Sequence, residues 1–197
     1  FLDKEPESKK ENAINIAKSL GYTIAPVDVN TSGKTWEIGK DGRTLIQPLT
    51  SIKGFGDSAM AQILDNRPFV DIEDLLFREE IKYAKLNKKA INALCLAGAM
   101  DSLIDDRFTG RKHFWSATVV ERPKTKKKFH ENIELYRGEG DFSEAEIIQF
   151  KTDLTGVFPM NLVISVETIE KLKEKFIPPI SEFCLLYTSD AADDLTR

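Results

Sequence analysis

The sequence predicts a mainly α-helical chain that carries one small β-hairpin. Apolar residues recur at helical spacing over residues 6–20, over much of 57–100 and over 143–154. Strand-like alternation is confined to residues 35–46, where two short runs surround the turn sequence Lys40-Asp41-Gly42. Long helical segments with a single short hairpin favour an α-helical architecture over a sandwich or barrel.

Composition excludes several classes of protein. The chain has 197 residues, of which 41% are hydrophobic and 30% charged, with a formal net charge of −4. This balance is typical of a globular domain and argues against a disordered or histone-like protein. No apolar run approaches the roughly 18 residues of a membrane span, and Phe1–Lys10 lacks the apolar core of a signal peptide. With 2 cysteines the chain is not a disulfide scaffold, so a cytoplasmic location is expected.

The elements follow one another along the chain in a clear order. A helix over residues 6–20 should end at Gly21, and an extended apolar stretch, Tyr22–Val27, follows it. After the hairpin, helices alternate with short breaks, and Leu86–Leu96 is one of them. A further helix is predicted over residues 166–176, before Pro178-Pro179.

The most informative motif is Ile52-Lys53-Gly54-Phe55-Gly56, which is followed at once by a helix. It resembles a helix-hairpin-helix, a module that holds nucleic-acid backbone without reading sequence. We expect Gly54 and Gly56 to adopt positive φ in a tight turn and to let a phosphate approach the backbone. Phe55 should anchor the turn in the core, while Lys53 and the amides up to Asp57 and Ser58 contact phosphate. Ala59 and Ala61 should let the paired helices pack closely. The alternative is a glycine turn between two helices that binds no ligand.

Further matches extend the resemblance to a larger protein. Pro26–Asn30, Ile52–Gly56, Arg67-Pro68-Phe69, Leu86–Lys89 and Ala97–Asp101 follow in the same order as in the alpha subunit of bacterial DNA polymerase III. The resemblance is close over residues 8–104 and looser to residue 183. It implies a divergent member of this family, from a phage or a metagenome.

The resemblance implies a domain plan for the chain. Residues 1–48 would be the end of the fingers and the connecting hairpin, and 49–104 a tandem helix-hairpin-helix with its second turn at Ala97-Gly98-Ala99. Residues 105–183 would complete the clamp-binding region of a multidomain polymerase. The implied role is to hold primer-template duplex DNA behind the primer terminus, alongside other replisome subunits.

No catalytic or metal-binding residues are assigned in this chain. The carboxylates that bind Mg²⁺ in a full-length polymerase of this family would precede residue 1. Asp71-Ile72-Glu73-Asp74 is interpreted as a charge cluster at a helix N-terminus. His113 and His130 lack ligand partners at metal spacing, and Cys95 is predicted to be a core residue.

A clamp-docking peptide is the second expected site. The family carries an internal peptide that binds the sliding clamp, and the matching interval contains Asn132-Ile133-Glu134-Leu135-Tyr136. Asn132 would orient the peptide while Ile133, Leu135 and Tyr136 supply its apolar contacts. Asn and Tyr depart from the Gln and Phe of the family, and an ordinary packed turn is the alternative.

Residues 107–128 are strongly basic, with 8 Lys or Arg residues and 1 Glu. Lys124 and Lys126–Lys128 could neutralise phosphates, and Phe114 and Trp115 could stack on an unpaired base. The alternative is a solvated lysine-rich loop.

Two functional alternatives and one terminal segment complete the sequence-based interpretation. The chain could be a stand-alone helix-hairpin-helix DNA-binding or repair accessory protein, or an interaction module that keeps the turn only for its structure. Cys184–Arg197 resembles a translated sequencing adapter, and we exclude this segment from the fold.

Overall fold

The computed structural model describes residues 2–157. These residues form seven α-helices and one small sheet. The helices are α1 (Glu7–Ser19), α2 (Asp57–Leu64), α3 (Ile72–Phe77), α4 (Lys88–Leu96), α5 (Arg111–Trp115), α6 (Lys126–Tyr136) and α7 (Glu144–Thr155). The strands are β1 (Thr23–Ala25), β2 (Glu37–Ile38) and β3 (Thr44–Ile46). Single 3-10 turns occur at Leu2–Lys4, Leu49–Ser51 and Asp101–Leu103, and a π-helical segment, Ser116–Val120, continues α5. The prediction of a mainly helical chain is confirmed.

Helix α1 ends at the glycine that the sequence indicated. Gly21 has φ +86°, its amide donates to the Lys18 carbonyl, and the Tyr22 amide donates to the Ala17 carbonyl at 3.1 Å. These paired bonds form a Schellman motif, which satisfies carbonyls left unpaired at the helix end. Of the apolar positions in α1, Ala13, Ile14 and Ala17 are buried.

The hairpin is part of a three-stranded mixed sheet with strand order β1-β3-β2. Strands β2 and β3 pair antiparallel, as predicted, and β1 adds a parallel partner to β3. The connecting loop is held by Asp41, whose carboxylate accepts hydrogen bonds from the amides of Arg43 and Thr44 and from the Thr44 hydroxyl. These bonds lower the pKa of Asp41.

One large apolar core draws on residues from Val27 to Ile133. Its fully enclosed side chains include Leu49, Ile52, Ile63, Ile72, Leu75, Leu86, Ile91, Leu94, Met100, Phe114 and Phe129. A smaller cluster joins Leu2, Ala13 and Ile14 to Trp36 and the sheet. The large core contains side chains from both sides of residues 48 and 104, and the division into domains at these positions stays a prediction.

The basic segment 107–128 is helical over residues 111–120, and Lys126–Lys128 of its lysine run begin α6 instead of lying in a loop. Phe108 and Phe114 pack edge to face with ring centroids 4.9 Å apart, and Phe129 lies beside Phe108. Phe114 is 1% exposed and therefore cannot stack on a base. Burial of Phe108 and Phe114 packs this charged segment against the core, which composition alone does not reveal.

Polar side chains cap four of the helices at their N-termini. Asp71, Asn87, Thr125 and Ser143 accept hydrogen bonds from backbone amides of α3, α4, α6 and α7, respectively. The charge cluster at residues 71–74 is thereby confirmed as a helix N-terminus. Arg107 pairs with Glu73 and Asp105, and it lies 3.6 Å from Asp71.

Some expectations lie outside the described residues. The predicted helix at 166–176, Pro178-Pro179 and Cys184–Arg197 all belong to this part of the chain. Within residues 2–157, no helix has the length and apolar character needed to cross a bilayer.

Two glycines at positive φ provide a test of the fold. Gly54 and Gly98 have nearly the same φ, +80° and +79°. A Cβ added at Gly98 would lie 2.5 Å from Lys151 Nζ. A Cβ added at Gly54 would have only Lys89 Cε within 4 Å, at 3.7 Å. Gly54→Ala should therefore cost about 1–2 kcal/mol of unfolding free energy from backbone strain alone. Gly98→Ala should cost more, because Lys151 must also leave Asp101. Urea unfolding measures both.

The Lys151→Ala background is the control for this comparison. It removes both Lys151 Cε and Nζ, each of which lies 2.5 Å from a Cβ at Gly98, so the extra cost of Gly98→Ala over Gly54→Ala should shrink. Equal losses for the two alanine variants in the parent chain would contradict the packing described for Gly98.

Candidate nucleic-acid interface

The first hairpin is an exposed turn between the 3-10 turn Leu49–Ser51 and α2. Gly54 has φ +80°, as expected, but Gly56 has φ −81° and serves as the N-cap of α2 in an extended conformation. The expectation of positive φ at both glycines is therefore wrong for Gly56. Glycine matters there for a different reason: a Cβ at this position would meet no atom within 4 Å, so the face above the backbone is open.

Burial on both sides of the turn holds it in place. Ile52 is 2% and Phe55 6% exposed, and the Phe55 amide donates to the Ile52 carbonyl at 3.1 Å. Because these two apolar side chains point into the core, Lys53 and Gly54 between them project into solvent. Gly56, Asp57 and Ser58 are also exposed.

The start of α2 offers amides without a capping side chain. No side chain among residues 2–157 bonds to the α2 N-terminus, and the first amides of a helix lack intrahelical acceptors. These groups at Asp57 and Ser58, together with the positive end of the helix dipole, form a site that suits an anion. Asp57 contributes through its backbone, because its carboxylate would repel a phosphate.

Lys89 is a cation at the turn that pattern reasoning missed. Its Cε lies 3.7 Å from the place where a Cβ on Gly54 would be. Lys88 and Lys89 begin α4 directly after its N-cap, Asn87, and no acidic residue occupies that first turn. A first turn with two lysines and no acid is the signal that could have identified this position, because acids normally dominate there.

The helix before the first turn is shorter than expected. It is reduced to the 3-10 turn Leu49–Ser51, so the turn packs on the core rather than on a long partner helix. Ala59 is buried, as expected of a close contact, but Ala61 is exposed, and the expectation for Ala61 is wrong.

The second turn, at Ala97–Ala99, has similar backbone geometry but is closed. Gly98 adopts φ +79°, and the Ala99 amide donates to the Leu94 carbonyl. Lys151 of α7 covers Gly98 and forms an ion pair with Asp101 at 2.9 Å, and Arg111 pairs with the same carboxylate. This turn is buried and presents no open face to a phosphate, so only the first turn of the expected tandem is accessible.

Helix α7 also contacts the first turn. The Lys53 amide donates to the Leu154 carbonyl at 2.8 Å, and Gln47 Nε2 donates to the Thr155 carbonyl at 3.1 Å. Both acceptors lie in the last turn of α7, where carbonyls have no intrahelical partner. The sequence predicts helix α7 over residues 143–154. Its last carbonyls thus obtain hydrogen-bond donors from the hairpin region, and the same bonds support the hairpin.

The four residues of the expected clamp peptide do not share one exposed surface. They lie on α6, where Asn132 and Ile133 are 0% and 4% exposed, whereas Leu135 is 64% exposed. Asn132 Nδ2 donates to the carbonyls of Ala117 and Glu121, at 3.2 and 2.8 Å. Tyr136 is partly exposed. Only Leu135 and Tyr136 are accessible in this conformation, and clamp docking stays a prediction.

The histidines and the cysteine have structural surroundings. His113 is buried; its Nδ1 accepts from the Thr109 amide at 3.0 Å, and its Nε2 lies 2.7 Å from the Ile133 carbonyl. Cys95 packs against the core, and burial raises the pKa of its thiol, which disfavours the reactive thiolate. Among residues 2–157, no group of three or more His, Cys, Asp and Glu side chains could hold a metal ion.

The lysines of the basic segment lie around the start of α6. Lys126 and Lys127 are exposed, and Lys128 lies 3.1 Å from Glu121, which raises its pKa. Arg122 stacks on the ring of Tyr83 with its guanidinium carbon 3.7 Å from the ring centroid. Burial lowers the pKa of Arg122.

Comparison with known proteins agrees with this geometry. Residues 21–109 match the family model described as a helix-hairpin-helix motif. The chain is 30% identical over 105 residues to the DNA polymerase III subunit alpha of Vibrio cholerae, which covers 51% of this chain and 9% of that protein. The corresponding protein of Thermus aquaticus is 31% identical over 108 residues, 53% of this chain and 8% of its own length. An error-prone DNA polymerase of Corynebacterium glutamicum is 28% identical over 182 residues, 83% of this chain and 16% of that protein.

The chain therefore contains a helix-hairpin-helix region that is similar to part of the DNA polymerase III alpha subunit. It spans between 8% and 16% of the length of these three relatives.

Substitutions on α6 distinguish its structural residues from its accessible ones. Asn132→Ala should lower the free energy of unfolding by about 1–3 kcal/mol, because it leaves the buried Ala117 carbonyl and the part-buried Glu121 carbonyl without this donor. Leu135→Ala should change it by less than about 0.5 kcal/mol, since that side chain lies largely in solvent. Chemical denaturation of both variants measures the difference; a neutral Asn132→Ala would contradict the buried contacts described here.

Proposed function

We propose that this chain binds the sugar-phosphate backbone of duplex DNA at its first hairpin, as a DNA-holding region of a polymerase of the DNA polymerase III alpha kind. The observation that carries the proposal is the open backbone face at Gly54–Ser58, within a region that matches the helix-hairpin-helix model. The named relatives, all DNA polymerases, support the assignment of DNA as the ligand.

Binding at this site relies on backbone amides assisted by two lysines. A phosphate seated above Gly56 accepts hydrogen bonds from the first amides of α2, while Lys53 and Lys89 approach it from the side of Gly54. Amide donors carry no net charge, so a chain with formal charge −4 can still hold an anion locally. Phosphate contacts position a duplex without reading its bases.

No catalytic step is assigned to the described residues. The Mg²⁺ ions of a full-length polymerase need carboxylates that converge on a metal. The nearest acidic cluster does not fit this role, because Asp71 caps α3 while Glu73 and Asp74 pair with Arg107 and Arg78. The proposed contribution of this chain to polymerisation is to position DNA.

Gly56→Val tests the open face directly. The backbone at Gly56 has ordinary φ and an added Cβ would meet no atom within 4 Å, so the chain should fold at a cost of about 1 kcal/mol for the poorer N-cap. The isopropyl group would occupy the space where the phosphate approaches. We expect the dissociation constant for a 20-base-pair duplex, measured by fluorescence anisotropy, to rise at least about 10-fold.

Gly138→Val is the matched control, because a Cβ at Gly138 would also meet no atom within 4 Å, but this glycine lies beyond α6. It should bind the duplex as the parent chain does. A Gly56→Val variant that is folded by circular dichroism and binds with unchanged affinity would overturn the hairpin proposal.

The lysines at the turn should be visible in the salt dependence of binding. Each phosphate contact contributes about 0.9 to the slope of log K against log salt concentration. Lys53→Gln and Lys89→Gln should each reduce that slope by about this amount. Lys40→Gln, on the exposed β2–β3 loop, is the control and should leave the slope unchanged; equal slopes for all three variants would remove the lysines from the interface.

A further inference from the structure

A second feature lies beside the first hairpin, on the far side of Lys89. It is an open groove of about 570 Å³ between α4 and the π-helical segment, lined by Lys88, Lys89, Asn92, Trp115, Val119 and Val120. Its volume falls in the range of about 300–1,000 Å³ that is common for small organic ligands. We call it the Trp115 groove.

The chemistry of the Trp115 groove combines an apolar floor with a cationic rim. Trp115, Val119 and Val120 supply the floor, and Lys88 and Lys89 supply the rim. An aromatic surface beside lysines is the arrangement by which proteins hold unpaired nucleotides, with the base on the ring and the phosphates on the cations.

Two contacts hold the indole ring in place before any ligand binds. Trp115 Nε1 donates to Asn92 Oδ1 at 2.8 Å, and Phe142 packs edge-on with ring centroids 5.8 Å apart. Lys88 Nζ donates to the Val120 carbonyl at 2.7 Å, which ties the rim to the π-helical segment. A ring that is fixed in advance loses little conformational freedom when a base stacks on it.

The Trp115 groove is continuous with the hairpin through a single side chain. Lys89 lines the groove, and its Cε lies 3.7 Å from the Cβ position of Gly54. A nucleic-acid strand held at the hairpin amides would therefore have Lys89 in common with the groove.

The charge around the groove favours a polyanion. Residues 82–89 contain 4 lysines and residues 122–128 contain 5 Lys or Arg residues, and neither stretch has an acid. The Arg122 guanidinium donates to the Tyr83 carbonyl at 2.8 Å and stacks on the Tyr83 ring, so the fold brings the two stretches together. Their combined field attracts nucleic acid in an otherwise acidic chain.

We infer that the Trp115 groove binds an unpaired nucleotide of a single-stranded DNA extension that leaves the duplex at the hairpin. The occupant is an unpaired strand because the base faces of a duplex are stacked on one another, so a duplex offers no free face to the Trp115 ring. This inference rests on the proposed function of the hairpin, and it adds a subsite for one unpaired base at Trp115.

The first test compares two DNA ligands on the full chain by fluorescence anisotropy. One is a blunt duplex, and the other is the same duplex with a 6-nucleotide thymidine extension, in separate versions for each end. The extended duplex should bind more tightly at one of the two ends. Trp115→Ala should weaken binding of the extended duplex by about 5- to 150-fold, the usual range for loss of one stacked base, and leave the blunt duplex unchanged.

Trp115→Phe is the matched variant. It keeps an aromatic ring for stacking but has a smaller ring and no donor to Asn92, so it should retain part of the preference for the extended duplex. A preference that survives in Trp115→Ala, or extensions that give no gain at either end, would overturn the inference.

The second test leaves the groove intact, so it does not depend on how well Trp115→Ala folds. In a Trp36→Phe background, Trp115 is the only tryptophan in the chain. Its fluorescence should be quenched in a saturable way by the extended duplex and by a 12-nucleotide thymidine strand, and much less by the blunt duplex.

Different results separate this inference from the proposed function. If the blunt duplex does not bind, the hairpin proposal fails, and quenching by the thymidine strand alone still decides the assignment of the groove. If the blunt duplex binds but no strand quenches Trp115, only the groove assignment fails. A change in Trp115 emission with protein concentration in the absence of DNA would identify the groove as a contact between two copies of the chain, and would also overturn it.

Discussion

The burial of Ile52 and Phe55 is the constraint on which the first hairpin depends. Both side chains are buried in the main core, and the two residues between them cannot point into the core at the same time. Lys53 and Gly54 are therefore forced outward, and glycine at position 54 accepts the left-handed backbone that this reversal needs. The exposed part of the turn is thus produced by apolar packing on both sides of it.

The two glycine turns show that backbone shape and accessibility are separate properties. Gly54 and Gly98 share nearly the same φ, yet one faces solvent and the other lies under the Lys151–Asp101 ion pair. The difference is made by α7, a helix distant in sequence from both turns. The same glycine-turn geometry can therefore have a purely structural role when, as at Gly98, its face is covered by another element.

The sequence predicts the structural features that depend on neighbouring residues, but it does not predict those that depend on contacts between residues distant in the chain. The turn at Gly54, the end of α1 at Gly21 and the cap at Asp71 each follow from residue types within a few positions. The burial of Phe114 and of Asn132 does not, because it arises from contacts among α5, the π-helical segment and α6. The first turn of α4, with two lysines and no acid, is a local signal at Lys89, but only the fold places this residue beside Gly54.

The bonds between the last turn of α7 and the hairpin have a thermodynamic consequence. The Lys53 amide and the Gln47 side chain both donate to carbonyls of that turn, so an ordered hairpin and a docked α7 stabilise each other. Two events that are coupled in this way share one interaction free energy, and each favours the other by the same amount. Any change that stabilises the ordered hairpin therefore also stabilises the docked position of α7 over the buried turn at Gly98, and a change that releases α7 destabilises the hairpin by the same amount.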